Sequence, residues 1–299
     1  MSVLWLPATV LAALLQAWRT AVQQRVRADL SLNAAGLVRY LYGLPVGIGL
    51  LMAYLLWRGD DLPGTGWAFW VYALAAGLAQ IIGTNLLLMA FGYRNYVVGT
   101  AYAKTEAIQG ALLSLVLLGE MLTGRTWAGI GVGVAGVILL STGGVRVKLS
   151  DLWQPAALCG LGAGLGFTMT SIFVKLATRD IATDDLVLAA LVTLVVVQAG
   201  QTLMQGGYVV MREPAQIAAV FRTWRVSAQV GALAALGSAC WFTGFATAPV
   251  ALVRTVGQVE VIFTLGFSRL YLKERVKRHE VAGLALVGIG VALALWGGL

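Results

Sequence analysis

Ten apolar runs alternate with short polar breaks along the chain, at roughly 3–24, 34–57, 67–91, 95–119, 126–143, 154–177, 186–211, 227–247, 250–272 and 279–298. Each is close to the ~20 residues an α-helix needs to cross a hydrocarbon core. The breaks between them are brief, as in Gly124-Arg125 or the charged stretch from Lys273 to Glu280, and none could hold a soluble domain. Strict polar–apolar alternation is absent, so spanning helices are predicted and not barrel strands. The first run has no basic residue ahead of it and continues through Trp18 and Arg19, so it reads as a span and not as a cleaved leader. The pattern predicts an all-α integral membrane protein with ten transmembrane helices.

The second half of the chain repeats the first at an offset of 154 residues. Glu106 and Glu120 recur as Glu260 and Glu274, while Gly77, Gly129 and Gly136 recur as Gly231, Gly283 and Gly290. The modules are read as residues 1–145 and 150–299, five spans each. An odd number of spans forces the second module to enter the membrane upside down, which is the inverted-repeat plan of alternating-access carriers. Loop charges then orient the chain. Twelve basic residues fall in the odd-numbered loops against four in the even-numbered ones, which puts both termini outside the cytoplasm.

Composition agrees with this plan and removes other classes. Hydrophobic residues make up 59% of the chain and charged residues 11%, against about 25% charged in a soluble domain. The net charge of +8 is spread over short loops, which sets topology and forms no nucleic-acid patch. Cys159 and Cys240 lie in apolar runs and read as free buried thiols. The single His279 sits in a charged loop, and no spacing suits a metal. No nucleophile or metal constellation of an enzyme is visible, and no cofactor is called for.

The embedded charges carry the candidate chemistry. If Glu120 marks the membrane surface, Glu106 lies roughly 21 Å further along the helix axis, past the midplane of a core about 30 Å thick. Glu260 has the same geometry from the opposite surface. A carboxylate at such depth either pairs with a cation or takes up a proton, and both behaviours suit a carrier. Cationic candidates are Arg19, Arg39, Lys104, Arg254 and Arg269, with Arg25, Lys175 and Arg269 the ones expected to snorkel to the surface. Lys104 is about 200° around the helix from Glu106, so the two cannot share a face, and a pairing of Lys104 with Glu260 is left open. Five embedded cations against two acids point to an anionic or zwitterionic solute. The offset matches Lys104 with Gln258, which makes the site asymmetric.

Trp18, Tyr102 and Trp241 fall inside spans, away from the interfacial belt, and are expected to shape an apolar wall. Tyr102 lies one helical turn before Glu106. Gln80, Asn85, Thr168 and Thr170 are expected to bond between helices. The matched glycines of spans five and ten predict close helix packing there, and the closely spaced Gly160 to Gly166 predict a bendable or tightly crossing sixth span.

The patterns Leu118-Gly119-Glu120 and Leu272-Lys273-Glu274-Arg275, closing the fourth and ninth spans, resemble those of the drug/metabolite transporter superfamily in its ten-helix EamA-type branch. In that family a Glu-Pro pair stands fourteen residues before the closing glutamate. Here Glu106 and Glu260 take the glutamate position, but Ala107 and Val261 replace the proline. Arg39 resembles an arginine early in the family's second span, and Lys175 a lysine late in the first or sixth. The resemblance implies a secondary transporter, often an exporter, with a cavity lined by spans 1, 3, 4, 6, 8 and 9. Family solutes include amino acids, nucleotides, vitamins and cationic drugs.

The reading is a monomeric multi-pass carrier of the inner (plasma) membrane, moving a small amine-and-carboxylate metabolite such as an amino acid by alternating access. Glu106 and Glu260 would bind protons or the solute ammonium. Lys104, Arg254 and Gln258 would tune them and contact a solute carboxylate, with Arg39 a further cation of the site. Proton-coupled efflux of a cationic drug is the alternative, favoured if the two glutamates are unpaired. A scaffold or lipid scramblase is a further one. Partners are the solute, protons as a coupling ion and the bilayer, with no nucleic acid.

Overall fold

In a computed structural model the described residues are predominantly helical. The chain is described at residues 4–26, 29–93, 102–142, 153–272 and 278–298, with the backbone alone described at 24–26, 91–92, 268–272 and 278–279. Thirteen helices are described: α1 Trp5–Val26, α2 Leu32–Leu41, α3 Gly43–Arg58, α4 Trp67–Gly92, α5 Glu106–Leu118, α6 Gly124–Thr142, α7 Pro155–Arg179, α8 Leu186–Arg212, α9 Ala215–Arg222, α10 Trp224–Thr247, α11 Val250–Gly257, α12 Glu260–Leu272 and α13 Arg278–Gly298. Among the described residues the only extended pairing is a bridge between Thr65 and Ile181. Among the described residues, eight segments are long and apolar enough to cross a membrane. Helix α1 is not among them, because Gln16, Arg19, Gln23 and Gln24 crowd its second half. Helix α5 has only 13 residues.

Three expected spans are interrupted, the fourth span among them at Lys104–Thr105, and one loop is helical. The second run divides at Tyr42 into α2 and α3, and the ninth divides at Gln258–Val259 into α11 and α12. The stretch after α8, expected as a loop, contains the short helix α9. Its Ala219 and Val220 are buried with Ala34, Ala35 and Val38 of α2. At 8 residues α9 is far too short to span.

The helices pack as two compact units, each drawing on both halves of the sequence. The first comprises residues 1–81 and 170–248, and the second residues 82–169 and 249–299, with α4 and α7 contributing to both.

In the first unit α1 packs along α10, while α8 packs against α2, α3 and α10. Apolar contact alone gives helices little reason to associate in lipid, so close backbone approach and interhelical hydrogen bonds do the work. Gly231 of α10 lies against the Tyr42–Gly43 backbone, where a Cβ would come within 2.5 Å of Tyr42. Helix α8 carries a buried row of amides. The Gln201 side chain donates to Gln80 Oε1 at 2.7 Å and to the Gly77 carbonyl at 3.3 Å, and Gln205 Nε2 donates to Asn33 at 3.2 Å. The expected interhelical roles of Gln80 and Thr170 are thus seen, Thr170 donating to the Ala76 carbonyl at 3.4 Å.

Acidic residues secure loops at the helix ends of this unit. Asn33 Nδ2 donates to Glu213 at 2.6 Å, and Ser31 donates to the same carboxylate. Asp180 accepts from the Phe69 amide at 2.7 Å at the start of α4. Asp185 caps α8 by accepting from Val187 and Leu188, receives the Tyr54 hydroxyl at 2.8 Å and lies 3.5 Å from Arg58. Desolvation pushes its carboxyl up, but the Leu188, Tyr54 and Val187 hydrogen bonds and the Arg58 charge together hold it below the ordinary aspartate range.

The second unit is built on a glycine seam. Helices α6 and α13 run against each other with Gly129, Gly133 and Gly136 facing Gly290 and Gly283. A Cβ at Gly136 would stand 2.7 Å from the Val287 nitrogen and 2.8 Å from the Gly283 carbonyl. The close packing expected of the fifth and tenth spans is therefore backbone on backbone. Ala107 and Ala111 of α5, Ile130 and Val134 of α6 and Ala251 of α11 form a buried cluster beside it.

Two stability measurements follow from these contacts. Gly136→Leu should force α6 and α13 apart and cost about 1–3 kcal/mol or more, read as a lowered melting temperature in detergent. Asp185→Ala should cost about 1 kcal/mol at neutral pH, the worth of a helix cap. Because the folded pKa is depressed, that contribution is complete above the unfolded value of about 4 and is lost as pH falls through the lower folded value. The difference between wild type and variant should therefore close in acid.

Candidate functional site

Both conserved-spacing glutamates sit where a helix restarts. In the first half Lys104 and Thr105 form a turn, and α5 begins at Glu106. In the second half Gln258 and Val259 form the corresponding turn, and α12 begins at Glu260. The family's proline is absent from both, so other bonds make the interruption. Thr105 bonds back to Tyr102 through its backbone amide at 3.1 Å and its hydroxyl at 2.6 Å, and Gln109 Nε2 donates to that hydroxyl at 3.0 Å. A threonine hydroxyl that takes the carbonyl in this way competes with the helical ladder. At the other turn Gln258 and Val259 bond back three residues, to Thr255 and Val256 at 3.2 and 3.1 Å. Tyr102 therefore precedes Glu106 across a turn and not along one continuous helix.

A glutamate in the first turn of a helix meets the positive end of the helix dipole, and an arginine in the last turn meets the negative end. Arg254 lies in the last turn of α11. Its Nη1 stands 3.6 Å from Glu106 Oε2 in α5, and its Nη2 donates to the Phe167 carbonyl of α7. Lys104 Nζ stands 3.8 Å from Glu260 Oε2. Each glutamate thus faces a cation from the opposite half of the sequence, and the pairing of Lys104 with Glu260 left open by the sequence is realised. The two pairs keep partial access, with side-chain exposures of 27% for Lys104, 15% for Glu260, 10% for Arg254 and 21% for Glu106. Thr168 donates to the Glu106 carbonyl at 3.1 Å, and Gln109 reaches the Leu161 carbonyl at 3.4 Å. Gly164 of α7 packs against Gln109 and the Ala103 carbonyl, so at that position the sixth span's glycines serve tight crossing in an unbroken helix.

Gln258 differs from its neighbours. It is 8% exposed, and its carboxamide presses into the notch left by Gly133, with Oε1 2.5 Å from where a Cβ would lie. Among the described residues neither carboxamide atom has a hydrogen-bond partner.

Among the described side chains of the second unit, two acids here face two bases. Arg39 is buried in α2 of the first unit, its guanidinium 5.5 Å from the Tyr40 ring. Arg19 belongs to α1 of that unit, and the Arg25 and Arg269 side chains fall outside the described atoms. Lys175 does not snorkel. It is 6% exposed and donates to the Ala248 carbonyl at 2.7 Å, a cation on the last carbonyls of α10. Trp18 and Trp241 also belong to the first unit. Trp18 is half exposed, whereas Trp241 stacks on Phe245 and donates to Gln16 at 3.1 Å. Tyr102, Lys104, Glu106, Arg254, Gln258 and Glu260 all belong to the second.

Glu120 holds an end of α11 as well as closing α5, since its Oε2 accepts from the Val250 amide at 2.8 Å. Its counterpart Glu274 lies outside the described residues. The partnerships of Phe167, Leu161 and Val250 run through backbone atoms, and no side-chain pattern announces them. Thr105 and Gln109, four residues apart, did offer a signal. Among the described residues no group of three His, Cys, Asp or Glu could hold a metal ion.

Helices of membrane-spanning length, a duplicated module and charge pairs at helix interruptions define a multi-pass membrane protein of the solute-carrying kind. The EamA-like transporter family model matches residues 3–142 and again 154–296. The chain belongs to that family, within the drug/metabolite transporter superfamily, and so to the membrane transporters of small solutes. The fold is also that of a solved crystal structure that aligns over 97% of both chains with a TM-score of 0.73 at 18% identity. No curated protein matches the sequence.

The Arg254–Glu106 pair predicts a strong non-additivity. Arg254→Leu leaves a largely buried carboxylate uncompensated and should cost about 3–5 kcal/mol, whereas Arg254→Leu with Glu106→Leu should recover most of that loss. Thermal unfolding of the four members of the cycle in detergent measures the coupling.

Proposed function

We propose that the protein is an alternating-access carrier of a small zwitterionic metabolite, with amino acids the leading class. The observation that carries this reading is the pair of ionic contacts, Arg254–Glu106 and Lys104–Glu260, held at two helix interruptions. Discontinuous helices of this kind bring charged side chains and helix ends to a solute. A solute with both an ammonium and a carboxylate finds a counter-charge for each. The carboxamide of Gln258, with no protein partner, is the kind of group expected where a further polar contact is made. Tyr102 supplies an aromatic face beside these charges, and Trp18, Trp241 and Arg39 complete the set of binding candidates.

Ten spans in two inverted repeats, residues 1–145 and 150–299, are the architecture in which this works, the modules exchanging access from one side to the other. The loop charges support termini outside the cytoplasm, and the family resemblance supports an inner-membrane location and net export. The internal repeat supports a monomer. Efflux of a cationic drug is the second reading, but it is favoured by glutamates free of cations, and both glutamates here face one.

Counterflow of radiolabelled neutral amino acids into proteoliposomes tests the proposal. Saturable exchange is expected, reduced at least tenfold by Lys104→Ala and by Glu106→Gln. Exchange of a lipophilic cation that is indifferent to Lys104→Ala would favour the second reading. Absence of exchange in the folded wild type, with Glu106→Gln and Glu260→Gln leaving the protein's cellular role intact, would point to a scaffold.

A further inference from the structure

We infer that the site moves its solute with no net charge and without a coupled proton, by exchanging the internal ion pairs for pairs with the solute. This deepens the zwitterion reading and rests on it. Glu106 faces Arg254 and Glu260 faces Lys104, so the four groups sum to zero when all are ionised. Protonating either carboxylate would strand a cation in a low-dielectric setting, and deprotonating either base would strand an anion. Isolated charge of that kind is what a membrane interior penalises most.

The other titratable side chains described on the elements of this unit are few. The segment of α7 in this unit, Pro155 to Met169, carries Cys159 as its single titratable side chain, and α4 beyond Ile81 carries none. On α6 the one charged residue is Arg125, in the first turn and over the Trp296 ring at 4.6 Å. On α13 the described acid is Glu280, in the first turn and ten residues from the Gly290 that meets Gly133. On α12 the Arg269 side chain lies outside the described atoms, nine residues from Glu260. Glu120 accepts from the Val250 amide at the far end of α5, and Tyr102 stands before the turn that leads into Glu106.

The separations also suit exchange. At 3.6 and 3.8 Å the contacts are longer than the roughly 2.7–2.9 Å of a charge-assisted hydrogen bond. An arriving ammonium can therefore compete for a glutamate while the solute carboxylate takes the released Lys104 or Arg254. No proton changes hands, and the charge within the site is zero before and after.

The test uses purified wild-type protein in proteoliposomes containing a pH-sensitive dye, with labelled neutral L-amino acids as probe. Exchange is expected to vary by less than about twofold between pH 5.5 and 8, to ignore an imposed membrane potential and to move no protons. Methyl esters, which are cations, and deaminated acids, which are anions, should each compete at least tenfold less well than the amino acid. The Lys104→Ala variant, left with an unbalanced carboxylate, should show residual exchange that becomes pH-dependent. Proton flux proportional to solute flux in wild type, or esters competing as well as amino acids, would overturn the inference while leaving the carrier reading standing. Absence of amino-acid exchange by folded wild-type protein would overturn both.

Discussion

The pairing of Arg254 with Glu106 across the two halves of the sequence is the contact on which the second unit turns. It sets an arginine at the end of one helix against a glutamate at the start of another, so both side chains also answer the dipoles of the helices that carry them. In water such a pair would contribute little. Between helices in lipid, either charge alone would be costly, and the two must be delivered together. The same constraint fixes Lys104 opposite Glu260 and explains why the helices restart where they do. A continuous helix would carry Lys104 and Glu106 on different faces, with no turn to redirect them.

Around that centre the packing follows from the absence of a hydrophobic drive between helices in a bilayer. Small residues let backbones touch, as Gly129, Gly133 and Gly136 do with Gly283 and Gly290, and as Gly231 does with the backbone at Tyr42. Buried amides supply directional contacts, most clearly Gln201 and Gln205 along α8. Charged residues at helix ends then secure the connections. Asp180, Asp185 and Glu213 do so in the first unit and Glu120 in the second.

A site that is neutral overall yet made of full charges has a chemical consequence. On the proposed reading it offers strong directional contacts to a dipolar solute and a poor reception to a net ion, because an ion would leave one of the four groups uncompensated. Family membership supplies the general task of moving small solutes, but a shared fold does not select one. Selection has to come from groups such as these pairs and the orphaned Gln258 amide.

The membrane class, the duplicated module and the matched acids are legible in the chain alone, because each is written in local hydrophobicity or in a fixed offset. The glycine matches at Gly129, Gly136, Gly283 and Gly290 likewise foretold a close helix pair, since a missing side chain has few uses inside a span. Tertiary structure alone decided which cation meets which acid, that Lys175 stays buried on the Ala248 carbonyl, and that the helices break without a proline. It also decided that the packing units mix the two halves of the chain. These depend on backbone carbonyls and on residues more than a hundred positions apart, and the pattern of side chains along one helix carries no record of either.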